Sequence, residues 1–244
     1  MNIPKIEWAM ASQPPDMSGK DVHVWRVDLC DPADVQPRLN ELLSPDELKR
    51  ASRYHFDKDR SSYKIRRAVL KMILGSYVRE KAEDLQFTYN NFDKPKLKAK
   101  LPIRFNASSS NCVGIIAIAL DTRIGIDIEF VDDTFPTLEL AEKYFSADEV
   151  RALGNLQPEL QTAAFFDCWT KKEAYVKAVG DGMSHPLPEL VISSDEQGQF
   201  SVDAISGKAA DWCFTSFIPQ QNYIASLAYE GERRAESYFS WQMS

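Results

Sequence analysis

Two spacings of apolar residues alternate along this chain, and each predicts its own kind of element. Residues 22–28 (VHVWRVD) are β-branched and short, and Asp31 and Pro32 follow, which predicts a strand closed by a turn. At Ser44 the texture changes: a hydroxyl precedes Pro45, and Glu47 stands three residues on, the start of a helix with a capping box and proline in its first turn. Residues 59–77 predict a longer helix, with Ile65, Val69, Met72 and Ile73 at helical spacing and most charges on the other face. Residues 85–89 read as a strand, and residues 112–120 and 123–130, joined by Asp121 and Thr122, as a β-hairpin. Ser146 and Glu149 repeat the capping box, and a helix over residues 159–179 stops at Gly180, a residue suited to the left-handed conformation of a helix end. Beyond Pro186 the pattern is of strands, at residues 190–193, 200–205, 212–218, 223–229 and 237–241.

The two halves resemble each other. LLSPDELKRA from Leu42 matches YFSADEVRAL from Tyr144, and YKIRRAVLKMILG from Tyr63 matches CWTKKEAYVKAVG from Cys168. The pairs lie at similar separations, both copies open on a capped helix, and both close on a glycine, Gly75 and Gly180. Either an α+β unit is duplicated, or common capping chemistry has produced the match twice. A duplicated unit predicts two similar subdomains, residues 1–121 and 122–244, packed about a pseudo-twofold with a ligand cleft between them.

Composition narrows the class. At 244 residues with 44% hydrophobic positions the chain can bury a full core, and no run of about 18 apolar residues or apolar leader occurs, so we expect a soluble, cytoplasmic protein with no membrane role. The net charge of −7 argues against a nucleic-acid partner held mainly through phosphates. Four cysteines, Cys30, Cys112, Cys168 and Cys213, lack paired short spacing and are expected to be thiols rather than zinc ligands or a disulfide framework. His23, His55 and His185 show no ligand spacing and read as surface or packed residues. One island contradicts the global sign: between Lys49 and Lys71 stand nine lysines and arginines against Asp57 and Asp59, and a second basic cluster runs from Lys94 to Arg104. Most of these belong to a solvated helix face; a few should meet a polyanion or an acidic partner.

Two segments carry candidate chemistry. In Gly125-Ile126-Asp127-Ile128-Glu129, strand alternation buries the isoleucines and sets Asp127 and Glu129 on one face, their Cα atoms about 6.5–7 Å apart, within reach of one hard cation. The plain alternative is any half-exposed strand. In Trp169-Thr170-Lys171-Lys172-Glu173-Ala174-Tyr175-Val176-Lys177, Glu173 and Lys177 share a helix face, which a surface ion pair would also explain. The repeat favours more than that, because the position matching Glu173 in the first copy is Ala68.

Taken together, ELKRASRY around Arg50, DKP from Asp93, FNASSS from Phe105, GIDIE from Gly125, FSADE from Phe145 and FFDCWTKKEAYVKAVGDGM from Phe165 resemble the phosphopantetheinyl transferases of the broad type named after the surfactin-synthetase activator. The resemblance implies an α+β fold of two similar subdomains related by a pseudo-twofold, with coenzyme A in the cleft. It implies Asp127, Glu129 and Glu173 as ligands of Mg²⁺, with Lys172, Lys177 and Lys94 at the diphosphate and adenylate phosphates and Arg50, Ser108 and Ser109 near the 3′-phosphate. Glu173 would act as general base and Lys177 would stabilise the leaving phosphate, while Glu149 is accounted for by its capping box. The implied partner is an apo acyl, peptidyl or aryl carrier protein, and the chain would act as a monomer. Two residues depart from the pattern: Ser109 replaces a histidine that bonds the 3′-phosphate, and Asp93 replaces a glycine before Lys94 and Pro95. Those departures motivate an alternative, a degenerate relative that binds coenzyme A or a carrier protein without turnover. A further alternative is a metal-dependent phosphohydrolase built on the same carboxylates.

Overall fold

A computed structural model describes residues 3–30, 36–180, 182, 186–194, 200–203 and 212–242. In chain order the elements are β1 (Ala9–Ala11), β2 (Asp21–Asp28), α1 (Gln36–Glu41), α2 (Pro45–Ala51), α3 (Asp57–Val78), β3 (Phe87–Tyr89), β4 (Pro95–Leu97), β5 (Ile103–Ser110), β6 (Val113–Leu120), β7 (Ile124–Phe130), α4 (Thr137–Tyr144), α5 (Ala147–Gly154), α6 (Pro158–Val179), β8 (Val191–Ser194), β9 (Phe200–Asp203), β10 (Trp212–Phe217), β11 (Tyr223–Glu230) and β12 (Ala235–Trp241). His185, Asp31, Pro32 and the last two residues of the strand expected at 200–205 lie outside the described residues.

The alternation of apolar faces stacks these elements in layers. A five-stranded sheet in the order β1-β12-β2-β6-β5 lies beside a three-stranded sheet in the order β10-β11-β7, and β3-β4 and β8-β9 form two small ribbons. On β6, Ile116 and Ile118 face α3 in one core, whereas Val113, Ile115, Ala117 and Ala119 face β7 and β11 in a second core between the sheets. A strand buried on both faces has no polar side, which explains the unbroken apolar run VGIIAIAL. On the far side of the smaller sheet, α6 closes the remaining cores through residues such as Phe165, Ala174 and Val176. The layers therefore run α3, larger sheet, smaller sheet, α6.

Local signals in the sequence survive in the structure. Both capping boxes form, Ser44 with Glu47 and Ser146 with Glu149. The duplicated pattern extends to a buried ion pair: Glu47 pairs with Arg67 on α3, and Glu149 pairs with Lys172 at the matching position of α6. The two long helices each have 22 residues and end on a left-handed residue, Arg79 at φ 58° and Gly180 at φ 86°.

Three expectations are corrected. Residues 112–120 and 123–130 are not a hairpin: β6 pairs with β2 and β5, while β7 crosses to the other sheet and pairs with β11. The two strands meet through the apolar side chains of the inter-sheet core rather than through a ladder. Gly75 does not end α3, which continues to Val78; glycine is required there because a Cβ would lie 2.6 Å from the Glu80 carbonyl oxygen. Cys30 and Cys112 form a disulfide across 82 residues, with Cα atoms 5.1 Å apart. The antiparallel pairing of β2 with β6 brings these ends together, since Asp28 opposes Val113 and the Leu29 N–H donates to the Cys112 carbonyl at 2.8 Å. Spacing along the sequence gave no hint of a contact created by sheet pairing.

β12 leaves the C-terminal half and inserts between β1 and β2, parallel to both, so the ends of the chain bind its halves together. Among the described residues no helix is long and apolar enough to cross a membrane.

Candidate active site at the joint of the two sheets

The edge strands β5 and β7 face one another without a mutual backbone ladder. The polar side chains of FNASSS supply the missing partners: Asn106 Oδ1 accepts from the Ile126 N–H at 2.8 Å, and Ser110 Oγ from the Phe130 N–H at 3.0 Å. Alternation along β5 sets Asn106, Ser108 and Ser110 toward β7, while Phe105, Ala107 and Ser109 lie on the α3 side. This polar strand is what allows two separate sheets to share an edge.

Gly125 sets the second wall. A Cβ on it would lie 2.5 Å from the Ala178 nitrogen and closer still to the Ala174 carbonyl oxygen. The absence of a side chain lets α6 lie directly on β7, and this contact suspends Glu173 and Lys177 over the acidic face of the strand. Lys177 Nζ donates to Asp127 Oδ1 at 2.6 Å and to Ser108 Oγ at 3.0 Å, and Ser108 Oγ itself donates to the same Asp127 oxygen at 2.9 Å. Asp127 is 2% exposed, yet its Oδ2 is buried without a partner among the described residues.

The electrostatics bind these residues into one cluster. Burial, then the charge of Asp127, pushes the Glu129 carboxyl up to about 7, against smaller opposing effects of Ser110, Lys177 and Trp169. Burial likewise raises Glu173, with Lys177 opposing and Asp127 adding to the rise. A carboxyl held above its ordinary 4.5 disfavours the fold once ionised; that cost is absent below the unfolded value, sets in as pH rises and is complete above about 7. Glu129→Gln is therefore expected to stabilise the metal-free protein, by a margin that widens between pH 5 and 8. Thermal melting of both proteins across that range checks it, and a margin that shrinks with pH contradicts it.

The unpartnered Oδ2 of Asp127, near enough to Glu129 and Glu173 to raise both, is an oxygen of the kind a hard divalent cation takes. Among the described residues no group of three or more His, Cys, Asp or Glu side chains is placed so that it could hold a metal ion. Lys177 provides the positive charge at Asp127.

Of the other residues expected at the site, two are held elsewhere. Lys172 is fully buried, and its ammonium donates to Glu149 at 2.7 Å and to the Leu187 carbonyl at 2.9 Å beside the Phe145 ring, so it is spent in the core rather than on a phosphate. Lys172→Ala should destabilise the protein by about 3 kcal/mol or more, because Glu149 loses its buried counter-charge; urea denaturation measures it, and unchanged stability would refute the structural role. Lys94 donates to the carbonyls of Lys177, Ala178 (2.8 Å) and Ile124 (3.4 Å), which gives it a helix-capping task where the resemblance implied phosphate. Asp93 adopts φ 60°, the left-handed conformation that glycine would take in the turn before Lys94.

Ser108 and Ser109 part company. Ser108 belongs to the Asp127 cluster, whereas Ser109 accepts from Arg66 of α3 at 2.5 Å. Arg50 is exposed and lines a cavity of about 790 Å³ between α2, α3 and β5. Sequence reasoning did not single out Gly125, Asn106 or Ser110 individually; the polar alternation of β5 was the available sign of a strand edge that needs side-chain partners.

The family model for the 4'-phosphopantetheinyl transferase superfamily matches residues 123–228, the stretch from β7 through β11 that includes Asp127, Glu129, Glu173 and Lys177. The 4'-phosphopantetheinyl transferase HetI of Nostoc sp. is 32% identical over 94% of this chain and 94% of its own. The 4'-phosphopantetheinyl transferase Sfp of Bacillus subtilis is 27% identical over 68% of this chain and 73% of its own. Among solved structures, a holo-(acyl-carrier-protein) synthase from Bacillus anthracis in complex with CoA (3',5'-ADP) covers 45% of this chain and 96% of its own, at 19% identity and a TM-score of 0.38. A likeness to HetI that runs nearly end to end at this identity shows that the chain belongs to the 4'-phosphopantetheinyl transferase superfamily.

Proposed function

We propose that this chain transfers the 4'-phosphopantetheine arm of coenzyme A to a serine of an apo acyl, peptidyl or aryl carrier protein. The observation that carries the reading is the joint of β7 and α6: buried Asp127 with an unpartnered oxygen, Lys177 bonded to it, and Glu129 and Glu173 raised by their shared burial. In the proposed step the serine oxygen forms a bond to the β-phosphorus of coenzyme A, and the bond from that phosphorus to the bridging oxygen breaks. Adenosine 3′,5′-bisphosphate leaves, and the serine proton passes to Glu173. The raised Glu173 carboxyl is better matched to accepting that proton than an ordinary glutamate, since a base works best with a pKa near the operating pH.

Lys177 offers a positive charge to the leaving phosphate, and Ser108 keeps Asp127 and Lys177 oriented. Asp127, Glu129 and Glu173 would hold Mg²⁺, which when bound neutralises charge on the diphosphate. Positioning by the rigid contact of α6 on β7 should account for much of the rate. The reading includes a monomer, because β5, β7, α3 and α6 of one chain form the walls of the site.

The test is to follow bisphosphate release from coenzyme A and Mg²⁺ with and without an apo carrier protein. Release that requires the carrier supports transfer. Release at the same rate without it indicates phosphohydrolysis, and none under either condition indicates a binding protein.

A further inference from the structure

The Cys30–Cys112 disulfide takes no part in the proposed reaction, yet it lies at the end of the strand that holds the site together. Cys112 belongs to the turn between β5 and β6, next to Asn111 at φ 47° and two residues from Ser110. Ser110 closes the ladder of the two strands opposite Val113. On its other side β5 has no strand paired with it, and its grip on β7 runs through side chains. At this end the contact is made by Ser110, whose Oγ accepts from the Phe130 N–H at 3.0 Å and donates to Glu129 Oε2 at 3.2 Å. Arg66 ties the neighbouring Ser109 to α3, on the opposite face of the strand.

The disulfide fastens this turn covalently to the end of β2, and it can be reached from solvent. Cys30 is exposed and Cys112 half-buried, and Cys112 lines a cavity of about 560 Å³ together with Asp28 and Val113, which is room for a small thiol. Exposed disulfides are the labile ones, because exchange requires a thiolate to approach a sulfur in line. The remaining cysteines, Cys168 and Cys213, are free thiols.

We infer that Cys30 and Cys112 form an exchange site for low-molecular-weight thiols, and that its oxidation state sets how firmly Ser110 holds β7 at the site. In the exchange the thiolate of a small thiol attacks the Cys30 sulfur, the S–S bond breaks, and Cys112 leaves as a thiolate that takes up a proton. A second small thiol attacks the mixed disulfide, which frees Cys30 as a thiol and releases the small disulfide. Two electrons and two protons thus pass to the protein, and the small disulfide reverses the step. Reduction leaves backbone hydrogen bonds, such as that from the Leu29 N–H to the Cys112 carbonyl at 2.8 Å, in place of the covalent tie. The effect on transfer rests on the proposed function; the effect on Ser110 and β7 does not.

The experiment equilibrates the full chain with reduced or with oxidised glutathione and counts its free thiols by alkylation in denaturant and intact mass. Hydrogen exchange of the Phe130 amide is then compared with that of the β11 amides by NMR, and modification of a carrier protein is timed in both states. The oxidised chain should show the two thiols of Cys168 and Cys213, and the reduced chain those of Cys30 and Cys112 as well. Reduction should quicken Phe130 exchange by about 10-fold, the worth of one hydrogen bond, while β11 stays unchanged and transfer slows severalfold. A chain carrying both Cys30→Ser and Cys112→Ser should exchange at Phe130 like the reduced protein in either buffer. A disulfide that survives excess reduced glutathione, or never forms with the oxidised form, would overturn the exchange site. Phe130 exchange that is unchanged on reduction, or quickened equally in β11, would overturn the coupling to Ser110. Equal transfer rates in the two states would overturn its bearing on the reaction. A carrier left unmodified in both states, with Phe130 still responding, would remove the transfer reading and support the coupling.

Discussion

Gly125→Ala is expected to cost the protein several kcal/mol of stability and nearly all of its activity. The added methyl would stand 2.5 Å from the Ala178 nitrogen and nearer to the Ala174 carbonyl, both of them backbone atoms of α6. A flexible side chain could rotate aside; a helix backbone cannot. The helix must lift from β7 by more than an ångström, opening the core around Ala174 and Val176. Ordinary overpacking costs about 1–3 kcal/mol, and this contact lies at or beyond the upper end. The same displacement carries Glu173 and Lys177 away from Asp127, and a misplacement of about 1 Å can cost roughly 100-fold in rate. Urea denaturation and transfer assays on the purified variant measure both effects; wild-type stability would show that α6 does not sit as close as this structure has it.

The second large effect is at Asp127. Asp127→Ala should abolish detectable transfer, a loss of about 1000-fold or more, because one substitution removes the acceptor of Lys177 and Ser108 together with a buried oxygen that has no partner among the described residues. Asp127→Asn separates charge from shape. Its amide oxygen can still accept from Ser108 and Lys177, so the fold should persist while the site loses its negative charge. Turnover by Asp127→Asn at the wild-type rate would contradict an electrostatic role for this residue.

What was legible in the chain depended on the range of the interaction. The capped starts of α2 and α5 and the apolar stripe of α3 are set by neighbours within a turn or two, and they were readable. The repeat aligns α2 and α3 with α5 and α6, and the Glu47–Arg67 and Glu149–Lys172 pairs fall at its matching positions. Non-local pairings were not readable. Two apolar strands joined by Asp121 and Thr122 look like a hairpin, yet β7 finds its ladder on β11, about a hundred residues further along. The disulfide between Cys30 and Cys112 depends on the β2–β6 pairing in the same way.

At the site the distinction is sharper. Asp127 and Glu129 on one face follow from period-two alternation, and Glu173 and Lys177 from helical spacing. That Lys172, one residue from Glu173, points instead into the core follows from the rotation of about 100° between neighbouring helix positions, and its partner Glu149 lies on another helix. Lys94 carries a charge suited to phosphate, but its position after a left-handed Asp93 aims it at the end of α6. Charge and motif propose a role; the direction of the side chain decides whether it is available.

The most direct measurement is the intact mass of an apo carrier protein after incubation with this chain, coenzyme A and Mg²⁺. The account predicts that the carrier gains one phosphopantetheine arm at its acceptor serine, and that Glu173→Gln slows the gain by about 100-fold or more. A carrier whose mass stays unchanged with the wild-type chain, while an established transferase modifies the same preparation, would contradict it.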